Sequence, residues 1–400
     1  MAKRTVVAVD ARRAGASGIG RYTQCLVEAF RFSEALRHRF ELVELVNPSA
    51  RMSQTQYPWD AALLSTWASN GLSQALKDVG AGLFIAPQYY VPPVDVVPLV
   101  RVLHDAQPFW GDFPSPSRDV FETLYGADVL LGLARELGVE SAWLDRDSRS
   151  AVANLIQRMY EKGSESADEL MTVSHFSATD LVRYLPQTKG RWHVAYPFVS
   201  STLAPSNAPV PRGDPMIIGV SKMEPRKNQL ALINAANRLR SEHPHLRLVL
   251  VGGATASFPA YADSVRQAAR RADWVTLLED ASDALLADLY RSCDLFVSAS
   301  VSEGFGFPGL EALEAGARVL VGSETSMREI YGSAASYFNE SGLRAEEGSR
   351  AYRRALDHLY GAMRLALNRS MPIDGGISSR VLPTVETFGD DLLAVMERVL

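Results

Sequence analysis

The sequence predicts an α/β protein built from two doubly wound, Rossmann-like domains, and three observations carry that prediction. Short apolar runs alternate with longer amphipathic runs through the first half. A proline-rich stretch, LAPSNAPVPRGDP (203–215), then interrupts the pattern and reads as an interdomain linker. Beyond it the alternation starts afresh and runs nearly to the end, within a chain of 400 residues that has room for two cores.

Taken in order, TVVAVDA opens the first domain as a strand. The glycine-rich stretch AGASGIG (14–20) follows as a turn, and YTQCLVEAFRF (22–32) as a helix. FELVELVNP (40–48), AGLFIAP (81–87), PLVRVLHD (98–105) and ELMTVS (169–174) read as strands, and the region from about 118 to 165 as helices. In the second half MIIGVS, LRLVLVGG, WVTLLE, LFVSAS, RVLVGS and ASYFN read as strands. Helices lie between them through QLALINAANRLRSE and at 260–272, 283–292, 308–315 and near 326–331. TVETFGDDLLAVMERVL closes the chain as one amphipathic helix. The domains therefore span 1–205 and 214–380, with the helix 384–400 expected to pack back on the first. Ligands of doubly wound sheets bind in the loops after the strands, so function is expected there, in a cleft between two such domains.

Composition narrows the chemistry. Net charge is −5 with no block of like charges, so nucleic acid is not an expected partner. Two cysteines, Cys25 and Cys293, have no CxxC or Cys/His spacing, which predicts neither a disulfide framework nor a zinc site. No run approaches the roughly 18 apolar residues of a spanning helix, and the apolar run at the N-terminus is too short for a signal peptide. The expected location is cytoplasmic, with peripheral contact at a membrane surface left open.

The glycine turn first suggests a dinucleotide. Gly15 and Gly18 are separated by two residues, however, where the short-chain dehydrogenase pattern has three. None of the 14 tyrosines has a lysine four residues on to lower its phenol pKa. The order GxxGxG also differs from GxGxxG, and no acid stands at the end of the next strand. The turn either lets backbone approach a ligand at a helix N-terminus or is simply a tight turn.

GVSKMEPRKNQ (219–229) places Lys222, Arg226 and Lys227 in a loop that leads into a helix, which suits a diphosphate; the alternative is a solvated basic turn. In SASVSEGFGFPGLEALEAGARVLVGSE (298–324) a strand is expected to end at Ser300 and a glycine-rich loop to follow. Pro308 suits the first turn of the next helix. Glu303 and Glu311, eight residues apart, bracket Gly304, Gly306 and Gly309, where carboxylates can accept hydrogen bonds from sugar hydroxyls; two surface acids are the plain alternative. VLHDAQPF (102–109) ends a strand with His104 and Asp105, either functional or a hydrogen-bonded structural pair. In TVSHFSATDL, Ser177 and Asp180 are spaced as a capping box. DRD (145–147) falls within a predicted helix and reads as a solvated face. Neither GxSxG nor a P-loop is present.

Together DARRAGASGIGRY, LHDAQPF, EPRKN, EGFGFPGLE and ALEAGARVLVGSETSMREIYG resemble family 4 of the retaining glycosyltransferases, which have the two-domain GT-B fold. The resemblance runs along most of the chain and is most specific over about 215–340. It implies that the first domain serves the acceptor and the second a nucleotide-sugar donor. Glu303 would contact donor-sugar hydroxyls, and Glu311 the ribose. Gly304, Phe305, Gly306 and Phe307 would line sugar and phosphates through their amides. Lys222 and Lys227 would hold the diphosphate, Arg226 would match the motif beside them, and His104 would sit near the sugar's reactive face. Gly18 belongs to the glycine turn that faces donor and acceptor. Position 222, usually arginine in the family, is lysine here, which keeps the charge but loses the bidentate fork.

The implied reaction is metal-independent, with no cofactor beyond the donor: a sugar moves with retention from GDP-mannose or a UDP-sugar to a saccharide or lipid-linked acceptor. An epimerase or phosphorylase on the same fold, or a sugar-nucleotide-binding module without turnover, are the alternatives. Residues 112–166 form a longer segment than the family leads one to expect. It reads as an acceptor-shaping element, a membrane-surface element or an ordinary helical insertion.

Overall fold

The computed structural model describes residues 4–15, 18–48, 53, 55–59, 71–111, 115–145, 150–199, 214–368 and 383–400. They form two compact units. Of the described residues, the first holds those from 4 to 111, 115–198 and 383–400, and the second holds 199 and 214–368. The linker expected at 203–215 lies outside the described residues up to Gly213. Among the described residues no helix is long and apolar enough to cross a membrane.

The first unit runs β1 (Thr5–Asp10), α1 (Gly18–Phe32), α2 (Glu34–Arg37), β2 (Phe40–Val46), β3 (Gln56–Pro58), α3 (Gly71–Asp78), β4 (Leu83–Ala86) and β5 (Leu99–Val102). Four helices follow: α4 (Arg118–Tyr125), α5 (Ala127–Glu136), α6 (Glu140–Leu144) and α7 (Ala151–Ser166). Then come β6 (Glu169–Thr172), α8 (His175–Tyr184) and β7 (Trp192–Val194). All pairings are parallel, in the order β3-β2-β1-β4-β5-β6-β7. β4 and β5 are buried along their whole length, as strands covered by helices on both faces must be. The segment after β5 is a helical layer with its own apolar filling, in which Trp143, Leu130, Leu155 and Met159 pack with Leu103 and Leu181.

The second unit runs β8 (Met216–Val220), α9 (Gln229–Leu239), β9 (Arg247–Val251), α10 (Pro259–Arg270), β10 (Val275–Leu278), α11 (Asp283–Ser292) and β11 (Leu295–Val297). It continues with α12 (Phe307–Glu314), β12 (Val319–Gly322), α13 (Met327–Tyr331), β13 (Ser336–Phe338) and α14 (Arg350–Asn368). Its sheet is also parallel, ordered β10-β9-β8-β11-β12-β13.

The last helix, α15 (Val385–Met396), belongs to the first unit. Phe388 is fully buried, its ring 5.6 Å from Tyr22 of α1 and 5.9 Å from Phe198, and Glu397 meets Arg39 at 2.7 Å. Thr384 and Thr387 form its capping box, each hydroxyl accepting from the other residue's backbone N–H.

Three expectations need correction. β11 ends at Val297 rather than Ser300; Ser300 instead turns the loop, its Oγ donating to the Ser302 carbonyl at 2.9 Å. The cap of α8 is Ser174, whose Oγ accepts from the Ser177 amide at 3.1 Å, so Ser177 lies inside the helix, while Asp180 accepts from Trp110 Nε1 at 2.8 Å. Asp145 follows the end of α6 in extended backbone; the rest of DRD lies outside the described residues.

Candidate active site

Both sheets reverse their strand order once, between β1 and β4 and between β8 and β11. At such a switch point the loops leave in opposite directions and open a crevice at the carboxyl ends of the strands.

In the second unit the loops at the switch point are Ser221–Asn228 and Ser298–Gly306. Pro225–Lys227 form one 3-10 turn, and Asn228, in left-handed backbone at φ 50°, turns the chain into α9. The Val301 amide donates to the Arg226 carbonyl at 2.9 Å and ties the loops together. This brings Lys227 Nζ onto Glu303 Oε1. Arg226 reaches the other Glu303 oxygen at 3.6 Å, the Ser302 carbonyl at 3.1 Å and Glu224 at 2.8 Å.

Burial pushes the Glu303 carboxyl up, but Lys227 and Arg226 outweigh it and hold it below its ordinary value. Burial and the neighbouring Arg226 push Lys227 down, against the pull of Glu303 and Glu224. The result is a partly buried cluster in which the protein's own carboxylates occupy the cations. The chemistry that suits it is exchange: a diphosphate could take up Lys227 and Arg226 and release Glu303 toward hydroxyls.

Lys222 does not join this cluster. Its side chain is exposed, and its carbonyl is held by Gln229 Nε2 at 2.7 Å. Gly304, Phe305, Gly306 and Phe307 carry the loop from Glu303 into α12. Glu311, one turn into α12, is 1 % exposed and accepts a hydrogen bond from the Tyr290 hydroxyl at 2.9 Å. Sequence reasoning missed Glu224 and Tyr290. Glu224 stood in the quoted motif beside its partner, whereas nothing in the spacing pairs Tyr290 of α11 with Glu311.

In the first unit α1 begins at Gly18, and the Gly15 amide donates to the Gly20 carbonyl at 3.0 Å to close the glycine turn. Gly20 is required there, because a Cβ would lie 2.3 Å from the Arg13 carbonyl oxygen. The end of β1 holds a buried cluster that the sequence did not announce. Arg12 meets Asp10 at 2.8 and 2.9 Å, Gln88 Nε2 donates to Asp10 at 2.9 Å, and the guanidinium lies 3.7 Å from the centre of the Trp59 ring.

His104, just past β5, bonds through Nε2 to the Pro87 carbonyl at 2.8 Å, with its ring edge-on to Tyr22 at 5.0 Å. Burial lowers its pKa to about 4 although the Pro87 carbonyl pulls the other way. The imidazole is therefore neutral at pH 7. Since a carbonyl only accepts, the proton is assigned to Nε2, leaving Nδ1 as the acceptor nitrogen. Among the described residues no group of three or more His, Cys, Asp and Glu is arranged to hold a metal ion.

Residues 203–359 match the model for group 1 glycosyl transferases. The O-antigen chain mannosyltransferase B of Escherichia coli is 28% identical over 198 residues, 45% of this chain and 49% of that protein. The D-inositol 3-phosphate glycosyltransferase 2 of Catenulispora acidiphila is 29% identical over 171 residues, 39% of this chain and 40% of that one. The match thus spans half or less of these curated relatives. Among solved structures, HepE from Anabaena in complex with UDP and glucose superposes with a TM-score of 0.61 at 16% identity, covering 99% of this chain and all (100%) of that one, a likeness of fold alone.

Proposed function

We propose that the chain, whose two parallel-sheet units have the GT-B fold, is a group 1 glycosyltransferase that moves a sugar from a nucleoside-diphosphate sugar to a saccharide or lipid-linked acceptor. The observation that carries this reading is the convergence of Lys227 and Arg226 on Glu303 at the switch point of the second unit. A departing nucleoside diphosphate gathers negative charge, and two fixed cations beside a glycine loop meet that demand. On this reading the donor's diphosphate takes Lys227 and Arg226, Glu303 turns to hydroxyls of the sugar, and Glu311 binds the ribose. Lys222 adds a flexible charge at the rim of the loop.

The bond from the anomeric carbon to the phosphate oxygen breaks, and the acceptor oxygen bonds to that carbon from the same face. The acceptor's proton leaves with the diphosphate. Retention follows from the shared face, and no metal is required. His104, proposed for the sugar's reactive face, acts as a neutral imidazole and hydrogen-bond acceptor. The name of the E. coli relative, a mannosyltransferase, supports a mannosyl donor, for which GDP-mannose is the first choice and a UDP-sugar the second. A cytoplasmic location is part of the same proposal.

The test is release of nucleoside diphosphate from GDP-, UDP-, dTDP- and ADP-sugars without added metal. One donor is expected to be hydrolysed slowly, and Lys227→Ala is expected to lower that rate about 100-fold or more. A full panel with neither turnover nor a rise in melting temperature would sink the proposal. Turnover of a donor into an epimer, without acceptor, would replace it by the epimerase reading.

A further inference from the structure

α13 has no part in the chemistry above, yet the segment from its cap to its last residue meets the glycine loop through Ser326, Met327 and Tyr331. Ser326 is fully buried, and its Oγ donates to the Glu303 carbonyl at 2.7 Å. Tyr331, 1 % exposed, donates its hydroxyl to the Gly306 carbonyl. Gly306 stands in left-handed backbone at φ +90°, and the side chain of Met327 fills the space beside it: a Cβ there would lie 2.8 Å from the Met327 sulfur. Gly309 is shaped by the same tyrosine, since a Cβ at 309 would lie 2.4 Å from the Tyr331 oxygen. α12 therefore enters against a ring that only a glycine at 309 accommodates.

The consequence lies in peptide geometry. In a trans peptide the C=O of one residue and the N–H of the next point in opposite directions. Fixing the Glu303 and Gly306 carbonyls toward the α13 segment aims the following N–H groups, those of Gly304 and Phe307, away from it. The same bond to Glu303 holds the backbone from which its carboxylate reaches Lys227.

We propose that Ser326 and Tyr331 are positioning residues that set the 303–307 backbone to receive the diphosphate of a nucleotide sugar. The proposal rests on the donor reading given above and assigns two residues that the loop motif does not contain.

The experiment compares the full chain with Tyr331→Phe, Ser326→Ala and Tyr337→Phe. The third is a control: the Tyr337 hydroxyl donates to the Gly332 carbonyl at 2.6 Å, a bond of the same kind away from the loop. GDP and UDP binding is measured by calorimetry, donor and acceptor KM by turnover, and hydrogen exchange over 303–309 by mass spectrometry. Tyr331→Phe and Ser326→Ala are expected to weaken nucleotide binding and raise donor KM about 3- to 10-fold, the worth of one hydrogen bond. Acceptor KM stays constant, and exchange over 303–309 quickens. Ser326→Thr restores binding, and Tyr337→Phe changes only the melting temperature. If Tyr331→Phe and Ser326→Ala behave like the Tyr337→Phe control in binding and exchange, the two residues are merely structural and the proposal falls. Faster exchange in a protein whose wild type binds no nucleoside diphosphate overturns the donor reading and, with it, the ligand assigned here.

Discussion

The strand ends and loops after β1 and β4 and those after β8 and β11 occupy equivalent places in two sheets whose orders match over six strands, the first having a seventh, and each place holds an arginine or lysine paired with a carboxylate. The pairs differ in access. Asp10 and Arg12 have side chains at 0% and 0% exposure, closed by Gln88 and Trp59. Lys227 and Glu303 stand at 12% and 14%, with Arg226 at 21%. A sealed pair is a structural fixture, because no ligand can reach it and breaking it strands a buried charge. A pair that keeps part of its surface in solvent can be reached by a ligand that offers one member a new partner. One switch point thus fixes the backbone around the glycine turn, and the other keeps its charges exchangeable.

The largest effect that would break this contrast is in the first unit. Asp10→Asn leaves Arg12 buried without its carboxylate, and unfolding should become easier by about 3–5 kcal/mol in chemical denaturation. Nucleoside diphosphate binding by the second unit should survive wherever the protein remains folded. A loss near zero would mean that the Asp10–Arg12 pair is as replaceable as a surface bridge.

His104 supplies the next effect. Its folded pKa, about 4, lies below the ordinary value of 6.5. Between those limits the unfolded chain binds the extra proton, so stability rises with pH across the window and is lost as pH falls from 6.5 toward 4. The full difference is worth roughly 3 kcal/mol. Melting curves from pH 7 to pH 5 should therefore fall more steeply for the wild type than for His104→Gln. Parallel curves would show that the imidazole is more solvated than its contacts with Pro87 and Tyr22 imply.

The smallest change in stability is expected where the charges are exchangeable. Glu303→Gln should cost about 1–3 kcal/mol, less than Asp10→Asn, yet free nucleoside diphosphate should bind more tightly as Lys227 loses its internal partner, while donor turnover drops. Weaker nucleotide binding in Glu303→Gln would show that Glu303 organises the cations and does not compete for them.

Much of this was legible along the chain. Alternating apolar runs located the strands because a parallel strand covered on both faces must be apolar throughout, as LFIA and LVRV are. Helix α11 coincides with the expected 283–292 because Ser282 caps it and the strand of the next βα unit follows at once. The short strands β3 and β7, three residues each, carry no alternation long enough to register, and polar or aromatic residues such as Gln56, Trp192 and His193 disguise them as loop. The end of β11 was misplaced because SAS continues the small, buried texture of the strand after the ladder has stopped at Val297.

By itself the sequence determined two doubly wound domains and the glycine- and charge-rich loops that follow their strands, since periodicity and glycine, proline and charge placement are local properties. Only the tertiary structure decided which of those residues meet. Lys227 and Glu303 are 76 positions apart, and they touch because the strand order reverses between β8 and β11. The same non-local pairing sealed Asp10 against Gln88, 78 positions on, neutralised His104 by burial against Pro87, and set Tyr331 against Gly306. Burial and partner choice depend on contacts that no window of sequence contains, so the list of candidate residues was readable, but their ionisation and their division into fixed and exchangeable groups were not.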